Sequence, residues 1–162
     1  MSTEKALLGA GCFWGVEQIL RKIDGIVATT VGYSGGEVAD PTYPLVCTGT
    51  TGHAEVVLVE FNPEIISYAK VLDLFFRLHD PTTLNRQHND IGTQYRSVIF
   101  YYNDEQKQMA EETIKKVDAS HEFKNPVVTQ VVKAKEFYSA EEYHQDYLIK
   151  NPDGYMCHIL RN

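Results

Sequence analysis

A chain of 162 residues, 43% hydrophobic and 23% charged, has the size and composition of one globular domain, long enough to bury a core and short for two. With 22 acidic against 15 basic residues its formal charge is −7, which together with the lack of any lysine or arginine run argues against the basic face that nucleic-acid binding needs. The opening "MSTEKALLGAG" has too short an apolar run for a signal peptide or a membrane span, so the cytoplasm is the expected compartment, with neither nucleic acid nor membrane as partner; nothing suggests an obligate interface, so a monomer is expected.

In chain order, "KALLGAG" predicts a short buried strand running into a turn. Phe13, Val16, Ile19, Leu20 and Ile23 then recur at helical spacing, and "DG" at 24–25 ends that helix. "IVATTVGY" alternates, is β-branched, and predicts a strand. Residues 34–52 hold Gly, Pro and Thr throughout with no stable period, and a loop of that length inside a compact domain is usually functional. "HAEVVLVEF" (53–61) predicts a strand, "ISYAKVLDLFFRLHD" a helix, and residues 81–94 a second irregular stretch before the strand "YRSVIFYY". "NDEQKQMAEETIKKVDAS" predicts an amphipathic helix with Asn103 and Gln106 as its capping box. "PVVTQVV" predicts a strand, and "SAEEYHQDYLIK" a helix capped by Ser139 and Glu142. The interleaving predicts an α+β two-layer sandwich, one sheet covered by helices, as a single domain over 1–162 with a mobile tail from about 151.

Three cysteines, Cys12, Cys47 and Cys157, lie far apart without a C-x-x-C pair, so no structural disulfide framework is expected. Cys12 sits at the strand-to-helix junction, where unpaired backbone N–H groups and the helix dipole favour a thiolate. Glu55 shares its strand face with Val57, Val59 and Phe61, so its carboxyl is expected in the core and protonated at neutral pH, unless it lies at an exposed strand end or pairs with Arg96. Tyr43 and Tyr95 lie in or beside the irregular stretches, where a phenol can donate a hydrogen bond without carrying charge.

Other chemistries fit less well. Glu141 and His144 form one E-x-x-H pattern, but a carboxylate-bridged metal pair needs a second copy, so no metal site is expected. "GAGCFWG" places Trp14 where a dinucleotide fingerprint needs its third glycine to pack. A cysteine hydrolase or acyl-transfer enzyme could pair Cys12 with His53, His79, His88, His144 or His158, with nothing in the sequence choosing among them. A non-catalytic binding domain with Trp14 in an aromatic cleft would survive Cys12→Ser unchanged.

"GCFWG" (11–15), "YSGG" (33–36), "PTYPLVCTGTTGHAEVV" (41–57), "HNDIGTQYRS" (88–97) and "YHQDYLIKNPDGY" (143–155), in that order over about residues 6–159, resemble the A-type peptide methionine sulfoxide reductases. The resemblance implies a ferredoxin-like core with elaborations and neither metal nor bound cofactor. It further implies selectivity for the S epimer of methionine sulfoxide, free or in oxidised proteins, and regeneration by thioredoxin or a dithiol such as DTT. It makes Cys12 the nucleophile, Glu55 the proton donor, and Tyr43 and Tyr95 hydrogen-bond donors near the sulfoxide oxygen. Asp90 matches an acid that organises the site, and Phe13 and Trp14 the wall that holds the S-methyl group. Cys157 is the expected resolving thiol, with Cys47 as its substitute. The tail departs from the common pattern: Met156 separates Tyr155 from Cys157 where many relatives have no residue, and no later recycling cysteine precedes Asn162. A single Cys12–Cys157 disulfide cycle is therefore expected.

Overall fold

The structure is a computed structural model and describes residues 3–156 and 158–161. The chain runs β1 (Glu4–Ala10), α1 (Phe13–Leu20), β2 (Ile26–Ser34), α2 (Tyr43–Cys47), β3 (Ala54–Phe61) and α3 (Tyr68–Leu78). It continues through β4 (Arg86–Gln87), β5 (Asp90–Ile91), β6 (Ser97–Tyr101), α4 (Asp104–Ser120), β7 (Gln130–Lys133), β8 (Phe137–Ser139) and α5 (Tyr147–Lys150). Six strands form one sheet in the order β7-β6-β1-β3-β2-β8, antiparallel except for the β6–β7 pair, which α4 connects. The result is a mixed α/β fold. No helix among the described residues is long and apolar enough to cross a membrane.

β1 and β3 lie in the middle of this sheet, with Leu8 opposite Val57 and Ala6 opposite Val59. Their shared face packs under Val16 and Leu20 of α1 and Val71, Leu72 and Phe75 of α3. Each such side chain fully buried contributes roughly 1.5–3 kcal/mol. The opposite face is also apolar and covered: Leu7, Ala54, Val56, Val98 and Phe100 form a smaller cluster against Val132, Ala134 and Phe137. Glu55 is therefore buried because its strand is central, and the alternation with Val57 and Val59 decides only which side of the sheet its carboxyl enters.

Three expectations need correcting. Residues 139–150 do not form one helix: Ser139 ends β8, a 3₁₀ turn spans Glu142–His144, and α5 covers only Tyr147–Lys150. The cause is tertiary. Gln145 gives its amide to the backbone of Val31 and Ala140, closing the end of the β2–β8 pairing, and Glu141 turns its carboxylate to Tyr33 and Tyr43. The two long stretches are also less irregular than expected. The first contains α2, with Thr42 as its N-cap and Pro44 in its first turn, and the second contains the β4–β5 hairpin and a 3₁₀ turn at Thr93–Tyr95. In α4 the Asn103 half of the capping box forms, at 2.8 Å to the Gln106 N–H. The Gln106 side chain instead accepts from the Tyr102 N–H and donates to the Lys5 carbonyl.

His79, just past α3, ties the helix to the sheet. Its Nδ1 lies 2.6 Å from the Phe75 carbonyl and its Nε2 2.8 Å from the Ser97 hydroxyl. A ring that donates at Nδ1 and accepts at Nε2 is neutral, and burial holds its pKa down at about 3. The unfolded chain takes up this proton near pH 6.5 and the folded one only near pH 3, so stability falls as pH drops through that window. Between pH 7 and pH 5 this one group should remove about 2 kcal/mol. Urea midpoints measured at both pH values should show the loss, and His79→Gln should flatten it.

Candidate active site

The site forms where β1 runs into α1. Gly11 takes φ +95°, a left-handed turn, and a Cβ there would stand 2.8 Å from the Gln87 side chain. That turn leaves Cys12 as the N-cap residue of α1 at φ −57°, ψ 120°, with its side chain making no capping bond. The thiol is thus presented at the positive end of the helix, and Cys12 is only 6% exposed.

The next N–H of the helix, that of Phe13, donates to Glu55 Oε1 at 3.1 Å. This bond holds the β3 carboxyl at the helix start beside the cysteine. Glu55 is 1% exposed, and its other oxygen, Oε2, has no hydrogen-bond partner among the described residues. Burial pushes its pKa up to about 8, with the Phe13 N–H pulling the other way and the Asp90 charge adding to the rise. Arg96 does not pair with it; that guanidinium donates to the Thr93 and Gly52 carbonyls. At neutral pH Glu55 is a carboxylic acid with a proton to give.

Tyr43 opens α2 and Tyr95 closes the 3₁₀ turn before β6. Both phenols have their pKa raised, first by burial and then by the Glu55 charge, so they stay O–H donors throughout the physiological range. Both also reach the thiol of Cys47, which is raised as well: burial and the Glu55 charge outweigh the two phenols that hydrogen-bond to it. Cys12 lies among the charges that act on Tyr95, so both phenols belong to the same small volume as the thiol and the acid.

One wall is aromatic. Phe13 is fully buried behind Tyr43, with ring centroids 6.3 Å apart. Trp14 stacks on Tyr147 at 3.9 Å and donates its indole N–H to His144 Nδ1 at 2.9 Å. The fourth side is acidic and aromatic: Asp90 on β5 accepts from the Tyr155 hydroxyl at 3.2 Å. The C-terminal segment closes over α1, where His158 Nε2 bonds the Ala10 carbonyl at 2.7 Å. Gly15 makes this approach possible, because a Cβ there would meet the His158 ring at 2.7 Å.

The structure brings together Cys12, Phe13, Trp14, Tyr43, Glu55, Asp90 and Tyr95. Cys157, the expected resolving thiol, lies outside the described residues. Sequence reasoning missed Glu141, which holds Tyr43, and the pair His144 and Tyr147, which orients Trp14. The sequence offers Glu141 and His144 together only as an E-x-x-H pattern lacking the second copy a metal pair needs; in the structure both accept hydrogen bonds within the protein. Of the histidines a cysteine hydrolase could use, both ring nitrogens of His53 are taken, by the Gly36 N–H and the Val38 carbonyl. Both of His79 are taken as described, and His144 and His158 are held by Trp14 and Ala10. A neutral acid, two phenols and a thiol beside an apolar wall can protonate an oxygen while a soft atom bearing a methyl group is attacked.

Comparison with known proteins agrees. Residues 4–162 match the family model described as peptide methionine sulfoxide reductase. The peptide methionine sulfoxide reductase MsrA of Methanothermobacter thermautotrophicus is 56% identical over 98% of this chain and 93% of its own. The reduced form of Mxr1 from Saccharomyces cerevisiae superposes with a TM-score of 0.93 at 42% identity, covering 99% of this chain and 93% of that one. The same yeast protein in complex with Trx2 matches at 0.67 and 28% identity, over 99% and 91% of the two chains.

Proposed function

The chain belongs to the peptide methionine sulfoxide reductase family, and we propose that it reduces the S epimer of methionine sulfoxide, peptide-bound and free, using Cys12 and drawing its electrons from thioredoxin. The observation that carries the reading is Glu55: a buried acid, protonated at neutral pH, with one oxygen unbonded among the described residues, fixed beside Cys12 through the Phe13 N–H.

A sulfoxide sulfur is a poor electrophile until its oxygen is protonated. Glu55 supplies the proton while Tyr43 and Tyr95 donate to the same oxygen, and Phe13 and Trp14 accept the methyl group without competing for it. Asp90 helps hold the Glu55 proton by its charge. The Cys12 sulfur attacks the activated sulfoxide sulfur and a transient S–S bond forms. The protonated oxygen then passes to the Cys12 sulfur as that S–S bond and the substrate S–O bond break, so methionine leaves as the thioether and Cys12 becomes a sulfenic acid. Cys157 then attacks that sulfur; an S–S bond forms and the oxygen departs as water. An external dithiol, thioredoxin or DTT, takes over the disulfide by exchange and restores both thiols. Cys47 is the poorer resolving candidate, because its raised pKa keeps the attacking thiolate scarce. No metal or bound cofactor enters this scheme. The path β1–α1–β2–β3–α3–β6, whose strands stand in the order β6-β1-β3-β2, supports reading the core as ferredoxin-like with α4, β7 and β8 added.

Assaying the two sulfoxide epimers separately with thioredoxin, thioredoxin reductase and NADPH tests the substrate assignment. The S epimer should be consumed and the R epimer left, whereas equal turnover of both would contradict it.

A further inference from the structure

We propose that Glu141 is a positioning residue for the reduction, holding Tyr43 at both the angle and the depth at which its phenol meets the sulfoxide oxygen. This rests on the reading of Tyr43 given above.

Glu141 stands at the start of the 3₁₀ turn that follows β8. One carboxylate oxygen accepts from the Tyr43 backbone N–H at 2.9 Å and the other from the Tyr33 hydroxyl at 2.8 Å. The two bonds differ in kind. Tyr33 is a fully buried residue of β2, so its hydroxyl anchors the carboxylate to the sheet. Tyr43 begins a helix of only five residues in a long connection, with Thr42 capping it from one side. The Tyr43 N–H is one of the helix's unpaired donors, and Glu141 satisfies it while attaching that end of the connection to the β2–β8 side of the sheet. The Tyr43 ring then lies 4.2 Å from His144 and 6.2 Å from Trp14, and its hydroxyl reaches Cys47. The chain from rigid sheet to phenol is thus Tyr33, Glu141, Tyr43. The carboxylate is ionised in this role: the N–H and O–H it accepts outweigh the effect of its burial and keep its pKa below the usual carboxylate value.

Without Glu141 the phenol is free to drift, and a displacement of about 1 Å at a site of this kind can cost 10²-fold in rate. Because Tyr43 and Tyr95 serve the same oxygen, each buffers the loss of the other, so the effect is read most cleanly where Tyr95 is already removed.

The test is steady-state kinetics on Glu141→Ala, made in three backgrounds: the unaltered chain, Tyr95→Phe and Tyr43→Phe. The expected result is a fall in kcat of about 10- to 100-fold with KM little changed, larger in Tyr95→Phe and absent in Tyr43→Phe, where position 43 has no hydroxyl left to be positioned. Glu141→Gln should recover most of the activity, since its oxygen can take the Tyr43 N–H while its amide donates to the Tyr33 oxygen. Glu141→Asp, one carbon shorter, should not recover it, and both keep the test open if the alanine variant fails to fold. Loss of the same factor in all three backgrounds, or an Asp variant as active as the Gln variant, would overturn the proposal. A Tyr43→Phe/Tyr95→Phe double variant at full activity would instead overturn the reading of the phenols themselves, and this proposal with it.

Discussion

Glu55→Gln should lower kcat/KM for methionine sulfoxide by about 10²- to 10⁴-fold while leaving the fold in place. The amide oxygen of glutamine can still accept the Phe13 N–H that Glu55 accepts at 3.1 Å, so the geometry of the helix start survives. What disappears is the proton. The wild-type enzyme should show the complementary pH dependence. Its acid is protonated below about pH 8, so turnover should fall as pH rises through that value, and the residual activity of Glu55→Gln should not follow the same curve. The substitution itself should move stability the opposite way from activity. A carboxyl whose folded pKa is raised from 4.5 to about 8 destabilises the fold increasingly as pH rises between those values. At pH 7 the glutamine variant should therefore be more stable by up to about 3 kcal/mol, read as a higher Tm. Unchanged turnover in this variant would remove Glu55 from the mechanism.

Cys12→Ser should abolish reduction altogether, a larger loss but a less discriminating one. The hydroxyl would occupy the same N-cap position at the end of α1 and should keep the helix start intact. It cannot take an oxygen from sulfur and pass it on as water, because no O–O intermediate comparable to a sulfenic acid is accessible to it. Binding should persist, since Phe13, Trp14 and the phenols are untouched. Isothermal titration with a sulfoxide peptide should show affinity close to wild type and no product. Retained turnover in Cys12→Ser would move the nucleophile elsewhere, and Cys47, the thiol already touching both phenols, would be the first to examine.

Much of this arrangement could be read from local pattern. β1, β3 and α4 fall where their periodicity and caps place them, because their burial is decided by residues two to four positions apart. Glu55 was legible for the same reason: a carboxylate in an apolar strand is anomalous within seven residues of sequence. The segment from 139 to 150 was not legible, because its pattern is helical and its side chains are committed to distant partners. Gln145 reaches Val31, and Glu141 reaches Tyr33 and Tyr43, more than ninety positions back along the chain. Glu141 in particular looks like any solvent-facing helix residue until the turn that carries it is brought against the connection after β2. The short helix α2 could have been found, since Thr42 and Pro44 are an N-cap and a first-turn proline, but the glycines and threonines around it hid that signal.

The central claim is that Cys12 takes the oxygen and a second cysteine of the same chain removes it as water. Fully reduced enzyme, freed of reductant and mixed with excess methionine sulfoxide, should form one methionine per chain and then stop. Peptide mass spectrometry of that product should find Cys12 disulfide-bonded to Cys157, with Cys47 still a thiol. A Cys12–Cys47 bond would overturn the resolving assignment, and no methionine with both thiols of Cys12 and Cys157 intact would contradict the account as a whole.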